Sequence, residues 1–364
     1  MTGPPSQATS RVSSRVSLPR RPRLRPGLPV VERRANEIQI GLDPRHAVVA
    51  TDLPPIIMDV LRGLDGRRST AALLALVQDE HADRLCAVLR GLTERGLVED
   101  AEPRGGGHGG HGENGERATT PNLGAPEPSS AFAPMSYSVG IHGGGRLAAA
   151  VTTLLAASGV GRLGLAANGV VSESDVGSGF RDDDVGLDRR AALRAIARRI
   201  NPEIRLARLR SAQAIDLVVL TDAVVPAPEV LTELVATGTP HLITRVREGI
   251  GIVGPLVVPG RSSCAHCADL HRTGFDSCWP RVASQLAGRY HQADLTSVHG
   301  TAALTTGQVL STLSSLSAPS PGAAPPPTWN ATLELDCITG VVRRREWPPH
   351  PRCSCGARRH RAHL

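Results

Sequence analysis

Apolar residues between positions 135 and 258 form short continuous runs that alternate with stretches of helical spacing. The runs predict strands at 137–142, 160–166, 203–209, 215–221, 241–247 and 250–258. The helical stretches predict helices at 146–158, 189–200 and 228–237, followed by a helix at about 299–316 and strands near 331–346. Because strands that alternate with helices usually pair in parallel, the pattern predicts a Rossmann-like, mainly parallel α/β sheet with helices on both faces.

Residues 36–100 have a separate pattern. Short strands are predicted between Ile38 and Ala50, and three stretches of helical spacing follow. Ser69 is placed to cap the second of these helices, and Leu97 starts an edge strand. This order predicts a small winged-helix-like domain.

Segments of biased composition separate these blocks. Residues 1–35 are rich in Pro, Ser and Arg without periodicity, which predicts a disordered tail. Residues 101–134 predict a flexible linker, and residues 357–364 form a basic tail. The predicted domains are therefore 36–100 and 135–356.

Charge is distributed unevenly along the chain. The formal net charge is +7, yet residues 1–34 alone contain eight arginines and one acid. Residues 36–100 contain seven arginines and eleven acids, a net charge of −4. Since a surface that binds nucleic-acid phosphates is positive, this argues against a DNA-binding regulator. No apolar run approaches the ~20 residues of a membrane helix, so no membrane partner is expected.

Four of the seven cysteines lie in two close pairs, Cys264 with Cys267 and Cys353 with Cys355. Four thiolates from two tight turns suit tetrahedral zinc, at ~2.3 Å per Zn–S bond. We interpret them as a structural zinc site in a reducing cytoplasm that ties the C-terminal segment to the loop after Val258. The alternatives are His266 or His271 in place of one sulfur, or two unpaired reduced turns.

The other three cysteines have different predicted roles. Cys86 lies on an apolar helix face and Cys337 on a predicted strand, so both are expected in the core. Cys278 is the one candidate for a reactive, acyl-accepting thiol, since Arg272, Arg281 or His271 could lower its pKa. The alternative for Cys278 is an ordinary loop position.

A predicted strand, a glycine turn and a helix follow one another from residue 137 to 158. The turn consists of Gly143, Gly144 and Gly145, and Arg146 follows it. Glycines let the main chain approach an anion closely, and a helix N-terminus offers free N–H groups and a positive dipole. We therefore predict a phosphate-binding turn at these three glycines, with Arg146 placed to contact a phosphate.

The chain resembles the ThiF-type superfamily of adenylating proteins, relatives of the ubiquitin-activating enzymes. Besides the glycine turn and the cysteine pairs, the resemblance rests on four segments, which are Asp184–Gly186, Ile200–Pro202, Asp216–Asp222 and Gly254–Gly260. The layout is closest to ThiF-like proteins of azoline- and thiopeptide-type gene clusters, which carry a leader-peptide-binding domain ahead of the ThiF-like one. Residues 36–100, similar to the PqqD-like winged fold, match that arrangement.

In members that work as enzymes, the resemblance implies binding of Mg-ATP and adenylation of a C-terminal carboxylate. The family's Asp-x-Asp pair falls here on Ala167 and Gly169, so no acid is available there for the ribose hydroxyls. The third glycine of its loop is Ala148. Three further positions of the family's catalytic site carry a charged residue in this chain. Arg181 matches the family's arginine, Arg189 stands at the position of its helix lysine, and Asp222 matches its Mg²⁺-binding acid.

The main hypothesis is a ThiF-like protein with a degenerate nucleotide site. It would bind a precursor or leader peptide by strand addition to residues 36–100 and would partner a peptide-modifying enzyme. The alternative is an active ATP-dependent adenylyltransferase of the modifier-activating type that uses Arg181, Arg189 and Asp222. An NAD(P) oxidoreductase is disfavoured because the ribose-binding acid is missing. The resemblance also implies a homodimer.

Overall fold

The computed structural model describes residues 17–101, 136–209, 215–317 and 324–357. The chain divides into two compact units, Met1–Val30 with Arg34–His111, and Val31–Arg33 with Gly112–Leu364. The predicted linker, apart from Ala101, and nearly all of the predicted basic tail lie outside the described residues.

The smaller unit combines short antiparallel strands with two helices. The strands in this part of the sequence are β1 (Pro22–Leu24), β2 (Val30–Arg34), β3 (Glu37–Ile40), β4 (Val48–Ala50) and β5 (Val98–Asp100), of which β2 falls mostly in the segment Val31–Arg33 that is grouped with the larger unit. β1 pairs with β5 and β3 with β4. The helices are α1 (Pro55–Arg62) and α2 (Thr70–Glu94). Ser69 caps α2 as predicted, and the backbone leaves the helical region at Gln78 (φ +62°), so α2 consists of two helical segments, as expected.

Part of the predicted disordered tail is ordered. β1 and β2 both lie before residue 35, in a segment whose composition gave no strand signal. The reason is non-local, since the carboxylate of Asp100 accepts hydrogen bonds from the main-chain nitrogens of Arg20 and Arg21 at 2.9 and 2.7 Å. The prediction of disorder was therefore wrong for this stretch, whereas residues 1–16 lie outside the described part.

The larger unit is built on one eight-stranded sheet. Its strands are β6 (Ser138–His142), β7 (Arg162–Ala166), β8 (Arg205–Arg208), β9 (Leu217–Leu220), β10 (His241–Arg247), β11 (Ile250–Val257), β12 (Ala331–Asp336) and β13 (Val341–Glu346). Their order is β13-β12-β11-β10-β9-β6-β7-β8. The five strands from β10 to β8 are parallel, and β11 to β13 extend the sheet with antiparallel pairs. The predicted mainly parallel α/β fold is confirmed.

Helices cover both faces of this sheet. They are α3 (Arg146–Ala157), α4 (Arg189–Ile200), α5 (Pro228–Ala236), α6 (Ala265–Phe275), α7 (Trp279–Leu286) and α8 (Leu295–Ser317). α3 packs against α4 and α8 over one face. α5 covers Val218, Leu220 and Ile243 on the other face. Among the described helices, none has the length and apolar character needed to cross a membrane.

Candidate functional site

The glycine turn lies between β6 and α3, at the edge of the sheet where the parallel strands end. Gly143 has φ +144°, and a Cβ at this position would overlap the hydroxyl oxygen of Thr221. A Cβ on Gly145 would lie 2.6 Å from Oδ1 of Asp222. The turn is thus fitted closely around Thr221 and Asp222, the two residues that follow β9.

Asp222 fills the N-terminal end of α3. Its carboxylate accepts hydrogen bonds from the main-chain N–H of Gly145 at 2.9 Å and of Leu147 at 3.1 Å. The hydroxyl of Thr221 donates a third at 2.8 Å. Burial raises the pKa of the Asp222 carboxyl, and these hydrogen bonds oppose that shift. The carboxylate therefore uses the N–H groups that the sequence assigned to a phosphate.

Arg189, the first residue of α4, is already paired. Its guanidinium donates to the carbonyl oxygen of Gly144 and to Oδ2 of Asp175, the latter at 2.6 Å. Both side chains of the ion pair are largely buried. Burial acts to raise the pKa of Asp175, but hydrogen bonds from Arg189 and Ser172 outweigh it and the pKa is lowered. Asp175 was not predicted, although the Ser172-x-x-Asp175 spacing of a capping box was a readable signal.

The two remaining arginines of the predicted site have different positions. Arg146 donates to the carbonyl oxygens of Ala293 at 3.0 Å and Val176 at 3.1 Å, and its buried Nε has no partner in the described chain. Arg181 is exposed, and its main-chain nitrogen donates to Asp184. The structure thus brings Arg146, Arg189 and Asp222 together and leaves Arg181 at the surface.

These residues surround a small cavity of about 80 Å³. Gly145, Arg146, Asp175, Arg189 and Asp222 line it, together with Tyr290, His291 and the residues around them. Binding clefts for drug-sized ligands are typically about 300–1,000 Å³, so this cavity is smaller than such a cleft.

The positions where the family carries two acids lie beside the turn. A Cβ on Gly144 would be 3.1 Å from the Cβ of Ala167 and 3.0 Å from Cδ of Arg189. A Cβ on Gly169 would be 3.8 Å from Nε of Arg189. Ala167 therefore borders the glycine turn and Gly169 lies beside Arg189, and neither residue supplies a carboxylate to accept ribose hydroxyls.

A family comparison decides what this arrangement belongs to. The ThiF family profile matches residues 135–357. The chain belongs to the ThiF family. The match covers the sheet, the glycine turn and both cysteine pairs of this ThiF-family protein, and it confirms the resemblance seen in the sequence. No curated protein matches the sequence.

Solved structures share the fold across most of this ThiF-family chain. E. coli MccB with MccA-N7isoASN matches with a TM-score of 0.50 and 16% identity, covering 93% of this chain and 99% of that one. E. coli MccB with AMPCPP and MccA gives the same values. The microcin C7 biosynthetic enzyme MccB with N-formylated MccA has a TM-score of 0.50, 16% identity and coverage of 92% and 99%. At this identity the likeness shows the fold.

The four paired cysteines of the ThiF domain come together. The sulfur of Cys264 lies 3.9 Å from that of Cys267 and 3.6 Å from that of Cys353, and Cys267 lies 3.6 Å from Cys355. A tetrahedron with metal–sulfur bonds of ~2.3 Å has sulfur–sulfur edges of about 3.8 Å. The four thiols can therefore hold a metal ion.

Neither histidine that was considered as a replacement ligand joins the cluster. His271 contacts the carbonyl oxygen of Pro348 through Nε2 at 2.9 Å and meets the ring of His350 edge-on. His266 is exposed. All-cysteine ligation is the arrangement that the geometry favours.

The remaining cysteines lie apart from this cluster. Cys278 is buried at the N-terminus of α7. Cys86 is half-buried on α2. Cys337 is half-buried in the turn after β12 rather than on a strand, because β12 ends at Asp336.

A cleft of about 620 Å³ adjoins the cysteine cluster. Its walls come from α5, α7 and the turn that carries Cys353 and Cys355. His241, at the start of β10, also lines it. The ring Nδ1 of His241 lies 3.0 Å from the carbonyl oxygen of Thr239, and its buried Nε2 has no partner among the residues that the structure describes. A metal at the cysteines would fix one wall of this cleft.

Proposed function

We propose that this ThiF-family protein has a degenerate nucleotide site and binds a precursor or leader peptide on behalf of a peptide-modifying enzyme. The observation that carries the first part is the carboxylate of Asp222 at the N-terminus of α3. A phosphate bound to the same N–H groups would place two anions in contact inside a buried turn, where their repulsion is weakly screened.

The charges around the turn support this proposal. An active site for a triphosphate needs positive groups that are free to neutralise developing charge. Arg189 is paired with Asp175, and Arg146 donates to two main-chain carbonyl groups. With Ala167 and Gly169 in place of acids, the ribose also lacks acceptors at this edge.

The peptide-binding part rests on the likeness of fold and on the smaller unit. MccB, a microcin C7 biosynthetic enzyme, was crystallised with MccA. In this chain, β4 is a short strand whose Val49 is 45% exposed. An extended peptide that adds to a strand edge gains main-chain hydrogen bonds, while neighbouring pockets select its side chains.

We also propose that Cys264, Cys267, Cys353 and Cys355 hold zinc. Soft thiolate ligands select zinc over magnesium or calcium, and four of them leave no open coordination position. The ion would be structural, joining the start of α6 to the C-terminal turn.

The first test is calorimetric titration of Mg-ATP into the full chain, with Asp222→Ala titrated in parallel. We expect no heat from the wild type at millimolar ATP, and weak binding to the variant because its helix N-terminus is free. The active adenylyltransferase predicts the opposite: micromolar binding by the wild type that the variant loses. That result would overturn the degenerate site.

The second test measures the binding of a peptide to the protein. Short open reading frames that flank the coding gene supply candidate precursor peptides, which are labelled with fluorescein and titrated with the full chain. We expect a saturable rise in fluorescence anisotropy in the absence of ATP. The rise should be lost in Val49→Pro and kept in the control Leu76→Ser, which changes another exposed apolar residue. Binding that requires ATP would favour the enzyme, and no binding of any candidate would count against the peptide partner.

A further inference from the structure

Strand β10 carries two arginines on one face. Arg245 pairs with Ile252 and Arg247 with Ile250 in regular antiparallel register, so both side chains leave the strand on the same side. Val246 lies between them and lines the cavity at Asp222. The two guanidinium groups are therefore on the opposite face of β10 from that cavity.

These arginines lack the partners that buried charges usually have. Arg245 is 7% exposed, and its guanidinium makes no hydrogen bond or ion pair with any residue in the described ranges. The Nε of Arg247 is also buried without an acceptor there. Burying a charged group without compensation is costly, so native proteins supply a counter-charge.

The neighbouring acids are already engaged. Asp269 accepts a hydrogen bond from Arg272 at 2.8 Å, and Glu334 pairs with Arg345 at 3.1 Å. Arg272 also lies over the rings of Trp279 and Trp347, at 5.2 and 4.6 Å from their centroids. The acids near Arg245 are thus used by other arginines.

The electrostatic consequence is visible at Arg245. Burial, followed by the charges of Arg272 and Arg247, lowers the pKa of Arg245 to about 9, and the charges of Asp269 and Glu334 oppose this only in part. The group remains protonated at neutral pH, so the positive charge persists inside the fold.

We propose that Arg245 and Arg247 form an anion site that takes a carboxylate or phosphate group. A guanidinium presents parallel N–H donors that match two oxygens of such a group. Because the site lies across β10 from the glycine turn, it does not depend on the proposed function.

Thermal unfolding of the full chain tests the site. Sodium phosphate and sodium glutarate are each compared with sodium chloride at matched ionic strength. Either oxyanion, or both, is expected to raise the Tm of the wild type by about 2–4 °C, and the responding salt identifies the ligand group. Arg245→Met should abolish the rise, whereas Arg205→Met, an exposed arginine on β8, should keep it.

The unfolding temperature of Arg245→Met without oxyanions distinguishes a ligand-binding role of Arg245 from a purely structural one. Without oxyanions, Arg245→Met should unfold at the same or a higher temperature than the wild type, because an unpaired buried charge has been removed. Equal oxyanion effects in wild type and Arg245→Met, or no effect in either, would overturn the proposal.

If Arg245→Met does not fold, chemical modification of the wild-type protein tests the anion site. Phenylglyoxal modification mapped by mass spectrometry should be slowed at Arg247 by the oxyanion and unchanged at Arg205. Equal modification of Arg247 with and without oxyanion would reject the site.

Discussion

The carboxylate Oδ2 of Asp222 lies 2.9 Å from the main-chain nitrogen of Gly145. This contact joins the end of β9 to the start of α3 and satisfies a donor that a helix N-terminus otherwise leaves open. A ThiF-family turn can in this way keep its shape without an anionic ligand. The same contact makes the turn sensitive to any added atom at residue 145.

Gly145→Ala should destabilise the larger unit. The new Cβ would lie 2.6 Å from Oδ1 of Asp222, so the carboxylate must move and weaken its hydrogen bonds. We expect a loss of about 1–3 kcal/mol in the free energy of unfolding, measured by urea denaturation. Gly307→Ala is the control, because this exposed α8 position has open space and should gain up to about 1 kcal/mol. Equal effects of the two changes would contradict the tight fit.

His241 should make the stability pH-dependent. Burial lowers its pKa to about 4 from the ordinary 6.5, so the folded protein keeps this histidine neutral while the unfolded chain protonates it. The stability is then highest above pH 6.5 and is lost as the pH falls towards 4. Between pH 7 and pH 5 the expected loss from this group is about 2 kcal/mol.

Urea denaturation at several pH values checks this expectation. His241→Gln should lose less stability than the wild type on going from pH 7 to pH 5. His299→Gln, an exposed histidine on α8, should follow the wild type. A pH profile of His241→Gln that parallels the wild type would show that His241 is not buried in the neutral form.

Removal of the metal should loosen the C-terminal segment. The purified chain is expected to contain one zinc, measured by elemental analysis, and a chelator should lower its Tm by at least about 5 °C. Cys264→Ser should lose the zinc, because the thiolate set becomes incomplete. Cys278→Ser, a buried cysteine outside the cluster, should retain it. Zinc content that is equal in both variants would exclude the four-cysteine site.

The sequence by itself determined the larger fold. The spacing of apolar residues differs between strands and helices, so it indicates both the type of each element and the side that it buries. Strands β6 to β11 lie within a few residues of their predicted positions. The family resemblance, read from the glycine turn and the cysteine pairs, is confirmed as well. The roles of Arg181, Arg189 and Asp222 remain predictions.

Tertiary structure alone decided how the charged groups are used. The pairing of Arg189 with Asp175, and of Asp222 with the N-terminus of α3, depends on contacts between segments 14 and about 75 residues apart. The order of residues 20–24 depends likewise on Asp100. Local periodicity reports which side of an element is buried, but the partner of a buried charge is set by distant chain segments that only folding brings together.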